Sequence, residues 1–231
     1  METRINKYLS EAGYCSRREA DRLIERGIVL INGKAAQIGS KVTDKDIVTV
    51  SGKHIKNNVE MIYLAFNKPV GIVSTTDREI KDNIVDYINY SKRIFHIGRL
   101  DKDSEGLILM TNDGDIVNEV LRAENNHEKE YLVHVEQKLS HDFCEKMASG
   151  VPILDTVTKP CIVEKTGDKS FKIILTEGLN RQIRRMCEYY GYHVTRLKRV
   201  RIMHIKLDIP VGSYRPLTIQ EKQKLFELIK K

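Results

Sequence analysis

Apolar residues recur along this chain with two different periods, and the switches between them outline its elements. Ile5, Tyr8, Leu9 and Ala12 fall at i, i+3, i+4 and i+7, which predicts a short amphipathic helix closed by Gly13. Ser16-Arg17-Arg18-Glu19 has the form of a capping box, and Ala20, Leu23 and Ile24 give the buried stripe of a second helix that stops at Gly27. Ile28–Ile31, the turn Asn32-Gly33 and a strand from Lys34 predict a hairpin, because Asn-Gly readily takes the left-handed turn that joins twisted strands. Asp46–Val50 alternates as a further strand. Two small helices and a small sheet make a compact module of about 55–60 residues. Gly52–Asn58 is polar and without periodicity, and it reads as a linker with the domain boundary at 58/59.

From Met61 the pattern changes. Met61–Phe66 is a core strand stopped at Asn67-Lys68-Pro69, where proline cannot donate to a ladder. Asn83–Ile88 predicts a short helix, and Ile94–Ile97 an apolar approach to a run of charge that begins at Arg99. Leu107-Ile108-Leu109-Met110, bounded by Gly106 and the turn Asn112-Asp113-Gly114, reads as a strand buried on both faces. Asp115–Leu121 follows as an amphipathic helix. Lys129–Val135 alternates with period two, which puts Tyr131, Val133 and Val135 on one face. A helix over 140–149, a hairpin from Thr158–Glu164 to Phe171–Leu175, a helix capped by Asn180 and a final helix after Thr218-x-x-Glu221 complete the chain. That last helix turns Leu225, Phe226 and Ile229 inward. Hairpins recur without a regular βαβ beat, so residues 59–231 are expected to form an α+β domain on a mostly antiparallel mixed sheet.

Charge sharpens this outline. The net charge is +7 over 231 residues, which favours a polyanionic partner, but its placement says more. Arg18, Arg22 and Arg26 recur on the polar face of the second helix, where like charges four apart are mildly unfavourable unless an anion uses them. Arg181, Arg184 and Arg185, then Arg196, Lys198, Arg199 and Arg201, make the most concentrated basic segment, with Glu188 its only acid. Such a segment points to nucleic acid. Cys15, Cys144, Cys161 and Cys187 lack metal-ligand spacing and read as free thiols in a reducing compartment. Met1-Glu2-Thr3-Arg4 opens on a polar helix with no apolar leader, and no run approaches the roughly 20 apolar residues of a membrane helix. The cytoplasm is the expected location. No G-x-G-x-x-G, P-loop or G-x-S-x-G is present, so nucleotide cofactors and serine hydrolysis have no support.

Residues 98–115 hold the candidate chemistry, because Arg99, Leu100 and Asp101 connect two apolar strands and a carboxylate beside a core needs a partner. The residues leave two readings open. Asp101, Asp103, Asp113 and Asp115 could gather a magnesium ion for phosphodiester cleavage. Alternatively, one aspartate, held ionised by an arginine, acts as nucleophile or base on a nucleobase or sugar.

Two resemblances bear on this choice. Residues 4–52, through Leu9-x-x-x-Gly13-x-x-Ser16-Arg17-Arg18-x-Ala20 and the segment from Val29 to Asn32-Gly33-Lys34, resemble the S4 RNA-binding domain. That likeness implies that Arg17, Arg18, Arg22 and Lys34 contact phosphates. Gly98-Arg99-Leu100-Asp101-x-x-Ser104-x-Gly106-Leu107 resembles the central motif of RNA pseudouridine synthases, in the RsuA/RluF-type branch that carries an N-terminal S4 domain. Asn67-Lys68-Pro69-x-Gly71, Lys129-Glu130-Tyr131 and Glu177–Met186 resemble that branch's other blocks in the same order, with Ser104 where many relatives have threonine.

The resemblance implies conversion of a uridine to pseudouridine, in 23S ribosomal RNA or alternatively in tRNA; a non-catalytic RNA-binding or ribosome-assembly protein is the remaining alternative. Asp101 would be the nucleophile, and Arg99 would help extrude the nucleotide. Tyr131 would stack on the flipped uracil and move a proton. Arg184, with Arg181 as fallback, would keep Asp101 ionised. Leu100, Leu179 and Arg181 would line the substrate pocket. Lys68, Arg185, Arg196, Lys198 and Arg199 would add to the RNA surface. An isomerisation needs no metal or other cofactor, and a monomer without a protein partner is expected.

Overall fold

The computed structural model describes residues 2–56 and 60–229. The chain divides into two compact units, the first running to Ile62 and taking in Ser91–Arg93 and Asn112–Gly114, the second holding the remainder. The expected boundary at 58/59 lies outside the described residues.

In the first unit, helix α1 (Ile5–Glu11) is followed by α2 (Arg17–Glu25), whose cap is Ser16: its hydroxyl accepts the Glu19 N–H at 3.1 Å. Strands β1 (Val29–Ile31) and β2 (Lys34–Ala35) are joined by Asn32 and Gly33, both at positive φ (51° and 79°) as the Asn-Gly turn requires. β3 (Val48–Val50) and β4 (Lys53–Ile55) extend the sheet in the order β2-β1-β3-β4. The expectation of a linker from Gly52 is therefore corrected over 53–55, because Val48 pairs with Ile55, whose side chain joins the core. Ile5, Leu9, Ala20, Ile24, Val29, Val48 and Val50 are buried together, and the arginines of α2 lie on its exposed face.

The second unit is built on β5 (Tyr63–Lys68), β6 (Phe95–Ile97), β7 (Glu105–Thr111), β8 (Lys129–Val135), β9 (Ile162–Gly167), β10 (Ser170–Leu175), β11 (Val194–Ile202), β12 (Ile205–Lys206) and β13 (Tyr214–Pro216). Their order is β9-β10-β8-β11-β7-β5-β13, with β6 on β7 and β12 on β11. All these pairings are antiparallel except the short β7–β11 ladder, Glu105–Gly106 against Lys198–Arg199. Helices α3 (Ile84–Ile88), α4 (Asp115–Leu121), α5 (Phe143–Ala148), α6 (Gln182–Tyr189) and α7 (Ile219–Ile229) accompany the sheet. The helix expected over 140–149 is thus shorter, and the hairpin expected from Thr158 starts pairing at Ile162. In α7 only Leu225 is fully buried, while Phe226 and Ile229 are half-buried.

This sheet has two cores. Val133, Phe143, Met147, Phe171 and Met186 fill one. Ala65, Leu107, Leu109, Val120, Ile205 and Leu225 fill the other. The parallel ladder joins them. Gly106 makes that junction possible: its φ is 110°, and a Cβ there would run into the Arg199 backbone. Every residue of β7 is buried, and its four central side chains stabilise the fold by roughly 2 kcal/mol each. The loop 98–104 enters the sheet through this anchored strand.

Candidate active site

A cavity of about 740 Å³ opens in the second unit, with Arg99, Leu100, Asp101, Tyr131, Leu179, Arg181 and Arg199 among its lining residues. Its floor follows from register. Tyr131 on β8 lies opposite Arg199 on β11, and the guanidinium sits 6.0 Å from the ring centroid. The alternation of β8 turns Tyr131 inward, to 9% exposure, while Leu132 and His134 face out. Tyr131 is at once part of the core and part of the cavity wall.

Asp101 sits on the rim of this floor. The N–H of Ser104 donates to the Asp101 carbonyl at 3.1 Å, closing a tight turn, and the Asp101 side chain keeps 36% exposure. Its carboxylate is open to a ligand. The Arg181 Nη1 lies 3.6 Å from Asp101 Oδ2, and the same guanidinium donates two hydrogen bonds to Asp103, at 3.2 and 3.1 Å. Burial works to raise the Asp103 carboxyl, but the Arg181 hydrogen bonds and the charges of Arg184 and Arg181 overturn it and hold the group below its ordinary value. Arg181 is correspondingly raised, first by its hydrogen bond to Asp103 and also by the charges of Asp103 and Asp101.

Arg184 plays a different part from the one expected. It is buried, not projecting: one guanidinium nitrogen donates to the Val194 carbonyl at 3.1 Å, and the other to the Asp103 carbonyl at 3.0 Å and the Ser104 hydroxyl at 3.3 Å. Its ion pair is with Asp103, at 3.4 Å, so Arg181 and not Arg184 is the arginine at Asp101. The reason is a one-residue change in the helix start. Arg181, not Asn180, is the N-cap of α6, in left-handed backbone at φ 51° with no side-chain cap hydrogen bond. The arginine before the first helical turn faces the loop, and the one three residues on turns beneath it.

Two residues expected on an RNA surface are interior. Lys68 is fully buried, its ammonium donating to the carbonyls of Pro69 (2.9 Å) and Ser104 (2.7 Å). Burial brings its pKa down to about 8 against the raising effect of Asp101 and Asp103. Arg199, 4% exposed, donates from Nε to the Leu107 carbonyl at 2.7 Å. Its Nη2 lacks a hydrogen-bond partner, and the face of Tyr131 beneath the guanidinium supplies part of what is missing. Neither can meet a phosphate on the surface. Arg99, Arg17, Arg18, Arg22 and Lys34 are exposed, Arg196 is exposed but paired with Glu105, and Lys198 and Arg185 are half-buried. Arg22 is paired with Glu19 at 3.2 Å, and Arg185 donates to Asn180. Leu100 turns its side chain into the core and Leu179 packs against the same cluster.

Sequence reasoning did not single out Ser74, His96, Lys129, Glu177 and Gln182, which also line the cavity. Gln182 braces the loop before α6, accepting from the Leu179 N–H (3.0 Å) and donating to Glu177 (2.7 Å). His96 meets the Gly98 carbonyl through Nδ1 at 2.8 Å, and burial lowers its pKa. Lys129 is lowered by burial, then by Arg199. Lys129, Glu177 and Gln182 lie within blocks that resemble the family's, while Ser74 and His96 carry no signal in a single sequence. The magnesium reading loses its basis. Arg181 occupies Asp101 and Asp103, and among the described residues no three acidic, histidine or cysteine side chains converge on a metal site.

Comparison with known proteins names the class of protein to which this fold belongs. Residues 62–189 match the RNA pseudouridylate synthase family and residues 3–48 the S4 domain. The chain belongs to the RNA pseudouridine synthases, enzymes that isomerise uridine in RNA, of the type bearing an S4 domain. It is 58% identical to the dual-specificity RNA pseudouridine synthase RluF of Salmonella typhi, over 98% of this chain and 80% of that one. It is 56% identical to the RluF of Escherichia coli strain K12, over 98% and 79%. A solved pseudouridylate synthase superposes with a TM-score of 0.70 at 29% identity, covering 96% of this chain and 99% of the other.

Proposed function

We propose that this enzyme converts a uridine of 23S ribosomal RNA to pseudouridine with Asp101 as nucleophile. The observation that carries the assignment is the placement of an accessible carboxylate, 3.6 Å from Arg181, on the wall of a cavity that also presents Tyr131. The glycosidic bond of a stacked nucleotide cannot be reached, so the uridine is flipped into the cavity, and exposed Arg99 at its mouth helps to extrude it. Tyr131 stacks on the base. Asp101 forms a transient bond to the nucleotide, the C1′–N1 bond breaks, the uracil turns, and C1′–C5 forms as the bond to Asp101 is released. C5 gives up its proton, with Tyr131 serving in the transfer, and N1 gains one, so atoms and electrons balance without a cofactor. Leu179 and Leu100 shape the pocket, and Arg181 pairs with the attacking carboxylate across 3.6 Å.

Residues 1–58 act as the RNA-binding domain through Arg17, Arg18, Arg22 and Lys34, and residues 59–231 as the catalytic domain. Arg185, Arg196 and Lys198 extend the RNA surface. On this reading the enzyme meets ribosomal RNA in the cytoplasm and acts as a monomer without a protein partner; separately, no described helix is long and apolar enough to cross a membrane. The dual-specificity name of the similar RluF enzymes supports a second substrate, for which tRNA is the reading.

The test is to map pseudouridines in 23S rRNA and tRNA of cells lacking the chain, complemented with wild-type or Asp101→Asn protein. One missing 23S site restored only by wild type is expected, with the purified Asp101→Asn protein binding RNA as tightly as wild type. Restoration by Asp101→Asn would remove the nucleophile, and an unchanged 23S map would remove the substrate.

A further inference from the structure

The aspartate turn is held from behind by a segment that the pairing of strands does not account for. Residues 68–74 run beside 100–104 and grip its main chain at alternate residues. Lys68 donates from Nζ to the Ser104 carbonyl at 2.7 Å, and the Gly71 N–H donates to the Lys102 carbonyl at 2.7 Å. The Ser74 hydroxyl donates to the Leu100 carbonyl at 2.7 Å and accepts from the Leu100 N–H at 3.2 Å. Residues 100, 102 and 104 are thus tied down, while the side chains between them, Asp101 and Asp103, meet Arg181.

Ser74 differs from the other two in meeting the residue that precedes Asp101, and in meeting it twice. A hydroxyl has one proton and two lone pairs, so one side chain can satisfy both polar groups of a single residue. The Leu100 carbonyl belongs to the peptide whose nitrogen is that of Asp101. Holding it together with the Leu100 N–H sets the plane of that peptide and so the direction in which Asp101 leaves the backbone. Ser74 is 6% exposed and Leu100 7%, so water does not replace the hydroxyl readily.

We propose that Ser74 is a positioning residue for uridine isomerisation: its clamp on Leu100 aims the Asp101 carboxylate into the cavity. The inference rests on the role proposed for Asp101. Loss of the clamp leaves the cavity and the RNA surfaces in place and turns the nucleophile away from its line of attack. A shift of that kind, about 1 Å, slows an oriented reaction on the order of 10²-fold without weakening binding.

The experiment uses the full chain as Ser74→Ala, Ser74→Cys and Ser74→Thr beside Asp101→Asn. The probe is a 23S rRNA transcript carrying C5-tritiated uridine, with a tRNA transcript in its place should that be the RNA wild type modifies. Tritium release at saturating enzyme gives the rate constant, filter binding gives Kd, and thermal unfolding reports folding. Ser74→Ala and Ser74→Cys are expected to slow the reaction by about 10- to 100-fold with Kd within about twofold of wild type, and Ser74→Thr to recover most of the rate. Cysteine matches serine in size but bonds weakly through sulfur, so it carries the test where alanine fails to fold. Wild-type rates for folded Ser74→Cys, a loss confined to Kd, or a folded Ser74→Thr as slow as alanine would each overturn the inference. Turnover by Asp101→Asn would instead sink the nucleophile assignment, a result distinct from normal Ser74 variants beside an inactive Asp101→Asn.

Discussion

Lys68 carries its ammonium group where water does not reach, and that has a measurable consequence for stability. The charges facing it are Asp101, Asp103 and Glu105, which favour its protonated form, and Arg199, which opposes it. Burial outweighs them and brings a group that titrates at 10.5 in the unfolded chain to about 8 in the folded one. Between those values the unfolded chain holds the extra proton, so this residue's penalty is complete below pH 8 and fades as pH rises. At 1.36 kcal/mol per pH unit the full effect is roughly 3 kcal/mol. Urea unfolding of wild type and Lys68→Met at pH 7 and pH 10 should show wild type gaining about that amount relative to the variant, through the linkage of proton binding to folding. Parallel pH dependence in the two proteins would show that Lys68 does not titrate in this way. Arg184 and Arg199 make the same point about placement. In the sequence they belong to a basic run, yet folding draws both out of solvent and spends their donors on main-chain carbonyls.

Among the elements, β7 organises the site. Its apolar run between Gly106 and Asn112 was legible because four buried residues bounded by turn signals admit few other readings. What that pattern could not tell is which strand lies beside it. The parallel contact with β11 involves residues about 90 positions away and brings Arg199 to the Leu107 carbonyl. Gly106 is the residue on which this contact depends. Gly106→Ala is expected to destabilise the protein by about 3 kcal/mol or more, since it combines a positive-φ strain with a main-chain clash. Chemical denaturation would read this directly, and a variant within about 0.5 kcal/mol of wild type would show that the junction tolerates a side chain. The start of α6 shows the converse case. Asn180 is the better cap by propensity, but Arg181 takes the position in left-handed backbone and is drawn toward Asp103.

At the scale of the whole molecule, the arginine stripe of α2 and the cavity belong to different units. Arg17, Arg18 and Arg22 lie on the exposed face of α2 in the first unit, and the cavity belongs to the second. Phosphate contacts supply affinity and its salt dependence but take no part in bond making. Replacing all three arginines by alanine should raise Kd at least about tenfold and reduce the slope of log K against log salt by roughly 2, leaving the rate constant at saturating RNA unchanged. Filter binding across a salt series, with single-turnover rates alongside, separates these effects. An unchanged salt slope would take the stripe out of the RNA interface.

The sequence by itself determined most of the elements and the α+β class of the fold. Those depend on short-range periodicity, capping and turn preference, which act within a few residues. Ser16 at its cap, Asn32-Gly33 in its hairpin and Tyr131 on the inner face of its strand were readable for that reason. Tertiary structure decided the partners. Which arginine reaches Asp101, that Lys68 and Arg199 lie inside, and that Ser74 holds the Leu100 peptide all depend on contacts between residues 26 to more than 90 positions apart. Such contacts follow from how strands are ordered and how a helix begins. Asp101 therefore stood out in the chain as a carboxylate without a partner, and only the packing of the start of α6 beside it supplied one, Arg181.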